Sequence, residues 1–97
     1  MVKVKARLKL YDGKEVRQTP FLTGYRPLFN FIPKTKASGH IILLDRNSFF
    51  PGDEAIVEIK FINSSCLGDS FQKGTKATFD EGRIALGEVE ILEILKE

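Results

Sequence analysis

The sequence has one cysteine, one histidine and no tryptophan, and each scarcity closes off a class of chemistry. Cys66 alone makes no intrachain disulfide, which fits a reducing, cytoplasmic setting. Cys66 and His40 are too few for a zinc site, which ordinarily draws four Cys, His or carboxylate ligands, so neither a metal nor a cofactor is expected. No stretch reaches the ~18 apolar residues of a membrane helix. The opening MVKVKARLKLYDGKEV alternates cations with aliphatics where a signal peptide would be continuously apolar, so no membrane partner is expected. There is no G-x-x-x-x-G-K-[ST], no G-x-G-x-x-G behind a strand and no G-x-S-x-G. Those are the glycine turns that cradle phosphates or expose a nucleophile, and without them an NTPase or hydrolase lacks its parts. A nucleophile and base would have to be assembled from His40 with Ser38, Ser48 or Cys66, and nothing in their spacing requires it. No catalytic residue is assigned. The carboxylate pairs Asp53/Glu54 and Asp80/Glu81 fall in predicted turns and read as solvated.

What is present suits one small soluble domain spanning residues 1–97. Hydrophobic residues make up 42% and charged residues 29%, with eight Phe and two Tyr, enough for a single core. The net charge is +2 but it is unevenly spread. Residues 1–46 carry ten Lys/Arg against three acids, and residues 47–97 carry five against ten. Such asymmetry marks either a nucleic-acid-facing surface or two halves of one sheet that attract each other across their strands. The second account is the plainer, since no run of five like charges occurs.

Val2, Val4, Ala6, Leu8 and Leu10 alternate with Lys3, Lys5, Arg7, Lys9 and Tyr11, a period of two that predicts a half-buried strand. Asp12-Gly13 supplies a turn, and residues 15–18 a short return. Residues 28–32 read as a strand with Pro27 at its entrance, because Pro27 and Pro33 rule out a long helix. Residues 34–39 read as a polar connection, residues 40–44 as a short buried strand and residues 45–48 as a turn. Phe49-Phe50-Pro51-Gly52-Asp53 is a tight turn. Alternation returns over residues 55–62, with Ala55, Val57, Ile59 and Phe61 on one face. Residues 63–74 form the longest unpatterned connection, a length that in a small domain often has a job. Residues 75–79 and 83–91 form a final hairpin around Asp80-Glu81-Gly82. Residues 88–97 also allow a helix, with Val89, Leu92 and Leu95 along one side; as a strand the segment slips phase after Ile91, since Leu92 and Ile94 follow the other alternation, and needs a bulge or burial on both faces. Short strands separated by Gly, Pro and Asp turns predict an antiparallel barrel or sandwich.

On the first strand Lys3, Lys5, Arg7 and Lys9 project one way at roughly 6.6 Å intervals, twice the strand rise. That spacing allows a track of phosphates. Lysines that stop strands of different molecules from pairing are the simpler alternative. Lys34 and Lys36 make a second small basic patch.

Taken together the motifs resemble a known family. Thr19-Pro20-Phe21-x-x-Gly24-Tyr25-Arg26-Pro27-x-Phe29-x-Phe31, followed by Ser38-Gly39, is similar to the T-P-F-x-x-G-Y-R-P-x-F-x-F…T-G signature opening the C-terminal domain of elongation factor Tu. Phe50-Pro51-Gly52-Asp53 resembles that domain's M-P-G-D turn, Gly74-Thr75-Lys76 its G-x-R segment, and Glu81-Gly82-x-x-x-x-Gly87 its E-G-x-x-x-x-G hairpin. The resemblance covers nearly the whole chain in order. It implies a six-stranded antiparallel β-barrel, standing alone without the GTP-binding domain or second barrel, so no GTP is expected to bind to this domain itself.

In the family this domain helps hold the T stem of aminoacyl-tRNA and packs against the GTPase domain. Residue by residue, the resemblance places Ser38 at a Thr that touches the T-stem backbone and Glu81 at a T-stem-contacting Glu. Leu28 stands where the family has a Gln that reaches the RNA, and leucine makes no such hydrogen bond; Arg83 is offset by one from a family Arg. The face that meets the GTPase domain in the family would have Phe21, Tyr25, Arg26, Phe29, Phe49 and Phe50 as candidates, with the core as the alternative for any single aromatic. Two functions follow as expectations. One is a non-catalytic module of the translation apparatus recognising a tRNA-like RNA or a protein, and the other is a protein–protein adaptor or homo-oligomerisation domain with no RNA role.

Overall fold

In the computed structural model, which describes residues 1–13 and 18–96, the alternating segments become strands. They are β1 (Val2–Leu10), β2 (Phe21–Leu22), β3 (Leu28–Ile32), β4 (Thr35–Leu43), β5 (Ser48–Phe49), β6 (Glu54–Phe61), β7 (Lys76–Asp80) and β8 (Ala85–Lys96). Six of them close an antiparallel barrel in the order β1-β6-β4-β3-β7-β8, and β2 pairs with β5 as a separate ribbon. Closure gives β1 a partner on each side, β6 and β8, so no long edge is left to template pairing. The short return expected at residues 15–18 falls largely outside the described residues. Among the described residues no helix is long and apolar enough to cross a membrane.

The inward positions of β1, β4, β6 and β8 supply the aliphatic part of the core. Aromatic rings fill the rest. Phe29 packs edge-on to Phe61 with ring centres 5.3 Å apart and tilts against Phe79 at 5.6 Å. Phe71, from the long loop, closes one end edge-on to Phe31 at 5.0 Å. The β2–β5 ribbon stacks Phe21 on Phe49 at 5.0 Å and on Tyr25 at 4.4 Å. Burying each phenylalanine contributes about 1.5–3 kcal/mol.

Two expectations are corrected. Residues 34–39 are not a connection: Ile32 pairs with Thr35, so Pro33 and Lys34 alone make the turn, with Lys34 at φ 61°. β4 therefore includes Lys36 and Ser38 on its outer face and Ala37 and Gly39 inside. These inward residues are small because the rings need the space; a Cβ on Gly39 would sit 2.7 Å from Phe29 and 2.8 Å from Phe61. The second correction is Asp80, read as solvated and found 3% exposed as the last residue of β7.

Against β7, β8 is bulged at Leu86, since Phe79 pairs with Gly87 but Asp80 with Ala85; against β1 it contains the expected bulge twice. Lys5 pairs with Glu93 but Ala6 with Ile91, leaving Leu92 as an extra residue; Val4 pairs with Ile94 but Lys3 with Lys96, leaving Leu95 extra. Each insertion flips the phase, which is why no single alternation described the segment.

Candidate nucleic-acid interface

The outer face of the barrel is where the first strand's cations lie, and its register decides what they do. Lys5 stands opposite Glu58 on β6 and Glu93 on β8; Arg7 stands opposite Glu90, and Lys9 opposite Glu54 and Glu88. Arg7 places Nη1 3.0 Å from Glu90 and Nε 3.9 Å from Glu54. A groove of about 450 Å³ across this face is lined by Arg7, Lys9 and Lys76 together with Glu54, Glu88 and Glu90. Its charges cancel. The charge asymmetry between the two halves of the chain is thus largely spent on cross-strand pairing from Lys5 to Lys9.

The three positions that the resemblance relates to a T stem lie far apart in sequence and together in the fold. Leu28 faces Ser38 across the β3–β4 ladder and Asp80 across the β3–β7 ladder, one residue from Glu81. Ser38 is half-buried on the outer face of β4 and Glu81 is exposed just beyond β7. Tyr25 donates its hydroxyl to Glu81 Oε2 at 2.6 Å, holding that carboxylate beside the patch.

Beneath the patch lies a network that the sequence did not reveal. Asp80 accepts from Asn30 Nδ2 at 2.9 Å, Lys36 Nζ at 2.8 Å and the Gly82 amide at 2.7 Å. Burial pushes the Asp80 carboxyl up, but the bonds from Lys36, Asn30 and Gly82 together outweigh it and hold the group below the usual aspartate range. Lys36 is therefore committed to Asp80, whereas Lys34 is exposed at the hairpin tip. The only signal for this network was an acid of a turn, which ordinary turns share.

Of the residues considered for a partner-facing surface, Phe21, Phe29 and Phe49 are core: each is 2% exposed or less. Packing against one another and against the barrel lining takes them off the surface. Phe50 is 53% exposed, Arg26 is exposed and Tyr25 is half-buried. Phe50 directly follows β5, and near the same ribbon Leu22, 60% exposed, and Leu44, 49% exposed, line an open hollow with Thr23, Asp45 and Arg46. Among the described residues no three His, Cys, Asp or Glu side chains gather as a metal ion would require. No family model matches the chain.

Proposed function

We propose that the protein is a non-catalytic RNA-binding module, built like the terminal barrel of elongation factor Tu, that recognises a tRNA-like structured RNA of the translation apparatus in the cytoplasm. It has no GTPase activity of its own. The observation that carries this reading is the convergence of Leu28 on β3, Ser38 on the adjacent β4 and Glu81 just beyond the end of the adjacent β7. A serine hydroxyl donates to a phosphate or ribose oxygen, and a carboxylate accepts from a ribose 2′-hydroxyl, a group that DNA lacks. Leu28 contributes only an apolar contact, so affinity rests on Ser38, Glu81 and nearby cations.

Fluorescence anisotropy with labelled tRNA tests it: the wild type binds at low salt, prefers RNA to DNA of the same fold, and weakens when Ser38→Ala and Glu81→Ala are combined. Absence of binding at low salt would remove the reading. A second reading, docking on a protein, is favoured by the exposed Leu22, Leu44 and Phe50, since apolar groups near one ribbon of a small domain suit an interface.

A further inference from the structure

The register sets an acid directly opposite Lys5, Arg7 and Lys9 but a cation directly opposite Lys3. On β6 its partner is Lys60 and on β8 its partner is Lys96. Lys60 in turn faces His40 on β4. Beyond His40 the chain entering β3 runs on beside β4, with the Pro27 carbonyl accepting from Gly39 and the Tyr25 carbonyl from Ile41. That sets Arg26 next to His40. Five basic side chains thus form one row across the strands, Lys96, Lys3, Lys60, His40 and Arg26. At about 4.8 Å between strands the row covers roughly 19 Å of surface.

Like charges directly opposite one another destabilise a sheet, and the sheet avoids them at the next three rungs by placing Glu93, Glu58, Glu90, Glu88 and Glu54 beside the cations. At this rung the acid at hand is Glu58, which reaches diagonally to Lys3 Nζ at 3.1 Å; Glu93 lies one rung from Lys96. A repulsive row kept in a sheet that elsewhere pairs its charges points to an anionic ligand that offsets the repulsion.

We infer that this row is a phosphate-binding ridge for duplex RNA. The inference rests on the RNA-binding reading and extends it to residues outside the Leu28–Ser38–Glu81 patch. The ridge lies on the convex wall of a closed barrel, so its ends fall away from its middle. A convex basic ridge complements a concave anionic surface, and a duplex groove bordered by two phosphate lines is one. Lys60 and Lys3 sit in the middle, while Arg26 and Lys96 reach the phosphates on either side. Three of the five are lysines, which present no flat face to a base, and the one ring, that of His40, is half-buried, so the ridge is a poor platform for stacking the bases of a single strand. Ser38 lies two residues from His40 on the same face of β4, which joins the ridge to the patch.

The test is anisotropy at about 50 and about 200 mM salt with a labelled RNA duplex of about 16 base pairs, a single-stranded RNA of equal length and polyglutamate as competitor. The wild type binds the duplex more tightly than the single strand, and polyglutamate of equal charge competes poorly. Lys60→Gln with Lys96→Gln weakens duplex binding about tenfold and lowers the salt slope by about 2, one for each contact removed. Lys60→Glu, which turns a Lys–Lys pair into a Glu–Lys pair, raises the melting temperature while binding falls. That combination separates lost contacts from lost structure. If the double glutamine variant keeps affinity and slope while Ser38→Ala with Glu81→Ala loses affinity, the ridge is refuted and the RNA reading stands. A duplex that binds no tighter than the single strand, or polyglutamate that competes as well as RNA, also refutes the ridge. Absence of any RNA binding at low salt refutes the RNA reading itself.

Discussion

Lys36 Nζ lies 2.8 Å from Asp80 Oδ2, joining a half-exposed ammonium to a carboxylate whose side chain is 4% exposed. Asn30 and the Gly82 amide complete the shell, so β3, β4 and the β7–β8 turn meet on one carboxylate. Asp80→Asn removes the charge that Lys36 faces, and Asp80→Ala takes the carboxylate from Lys36, Asn30 and the Gly82 amide at once, leaving Asn30 only its longer bonds to Thr78. A loss of about 1–3 kcal/mol is expected for either, read as a lower urea midpoint. Because the folded carboxyl titrates below its unfolded value, its contribution is complete above about pH 3.9 and is lost as the pH falls through the folded pKa. Wild type should lose stability in that acid range more steeply than Asp80→Asn; parallel acid unfolding curves would contradict the network's role.

Gly39 and Gly87 are required by close approach. A Cβ on Gly39 would press into Phe29, Phe61 and Ile59, and one on Gly87 would overlap the Lys9 carbonyl and the Phe79 ring. Gly39→Ala should cost about 1–3 kcal/mol, since side chains can shift. Gly87→Ala should cost more, since the Lys9 carbonyl is backbone of the paired strand. Equal denaturation midpoints for both variants and the wild type would show that the core has slack that this packing denies.

Of the β1 cations Arg7 reaches two acids, Glu90 at 3.0 Å and Glu54 at 3.9 Å, so it has the least charge to offer RNA. Arg7→Gln should leave RNA affinity within about twofold and the salt slope nearly unchanged, whereas Lys3→Gln should lower both. Arg7→Glu, which faces Glu90 and Glu54, should lower the melting temperature. A large loss of RNA binding in Arg7→Gln would return the phosphate track to the whole of β1.

At the β2–β5 end, Leu22 and Phe50 point away from the buried Phe21 and Phe49. Leu22→Ser with Phe50→Ser should therefore leave thermal stability unchanged. Under the protein-docking reading with a second copy as partner, sedimentation velocity shows a concentration-dependent dimer for the wild type and a monomer for the double variant. A wild type that stays monomeric at high concentration contradicts that form of the reading.

The strands were legible where one face is apolar and bulky and the other charged. Val2 to Leu10 and Val57 to Phe61 announce β1 and β6 on their own. The first half of β4 was not legible, because its inward residues, Ala37 and Gly39, are as small as turn residues; their size answers the rings of Phe29 and Phe61, which come from other strands. The C-terminal half of β8 hid behind its two bulges against β1, and the buried Asp80 looked like any acid of a turn. The ridge could not be seen at all. Lys3, Lys60 and Lys96 are ordinary surface lysines until the register places them side by side, and register depends on the closed barrel rather than on any local segment.

The most direct test of the RNA-binding account is an NMR titration of the isotopically labelled protein with tRNA at low salt, following backbone amide shifts. The account predicts shifts concentrated at Leu28, Ser38, His40, Lys60 and Glu81, with the rungs at Arg7 and Lys9 and the β2–β5 end left in place. An unchanged spectrum, or shifts confined to Leu22, Leu44 and Phe50, would contradict it.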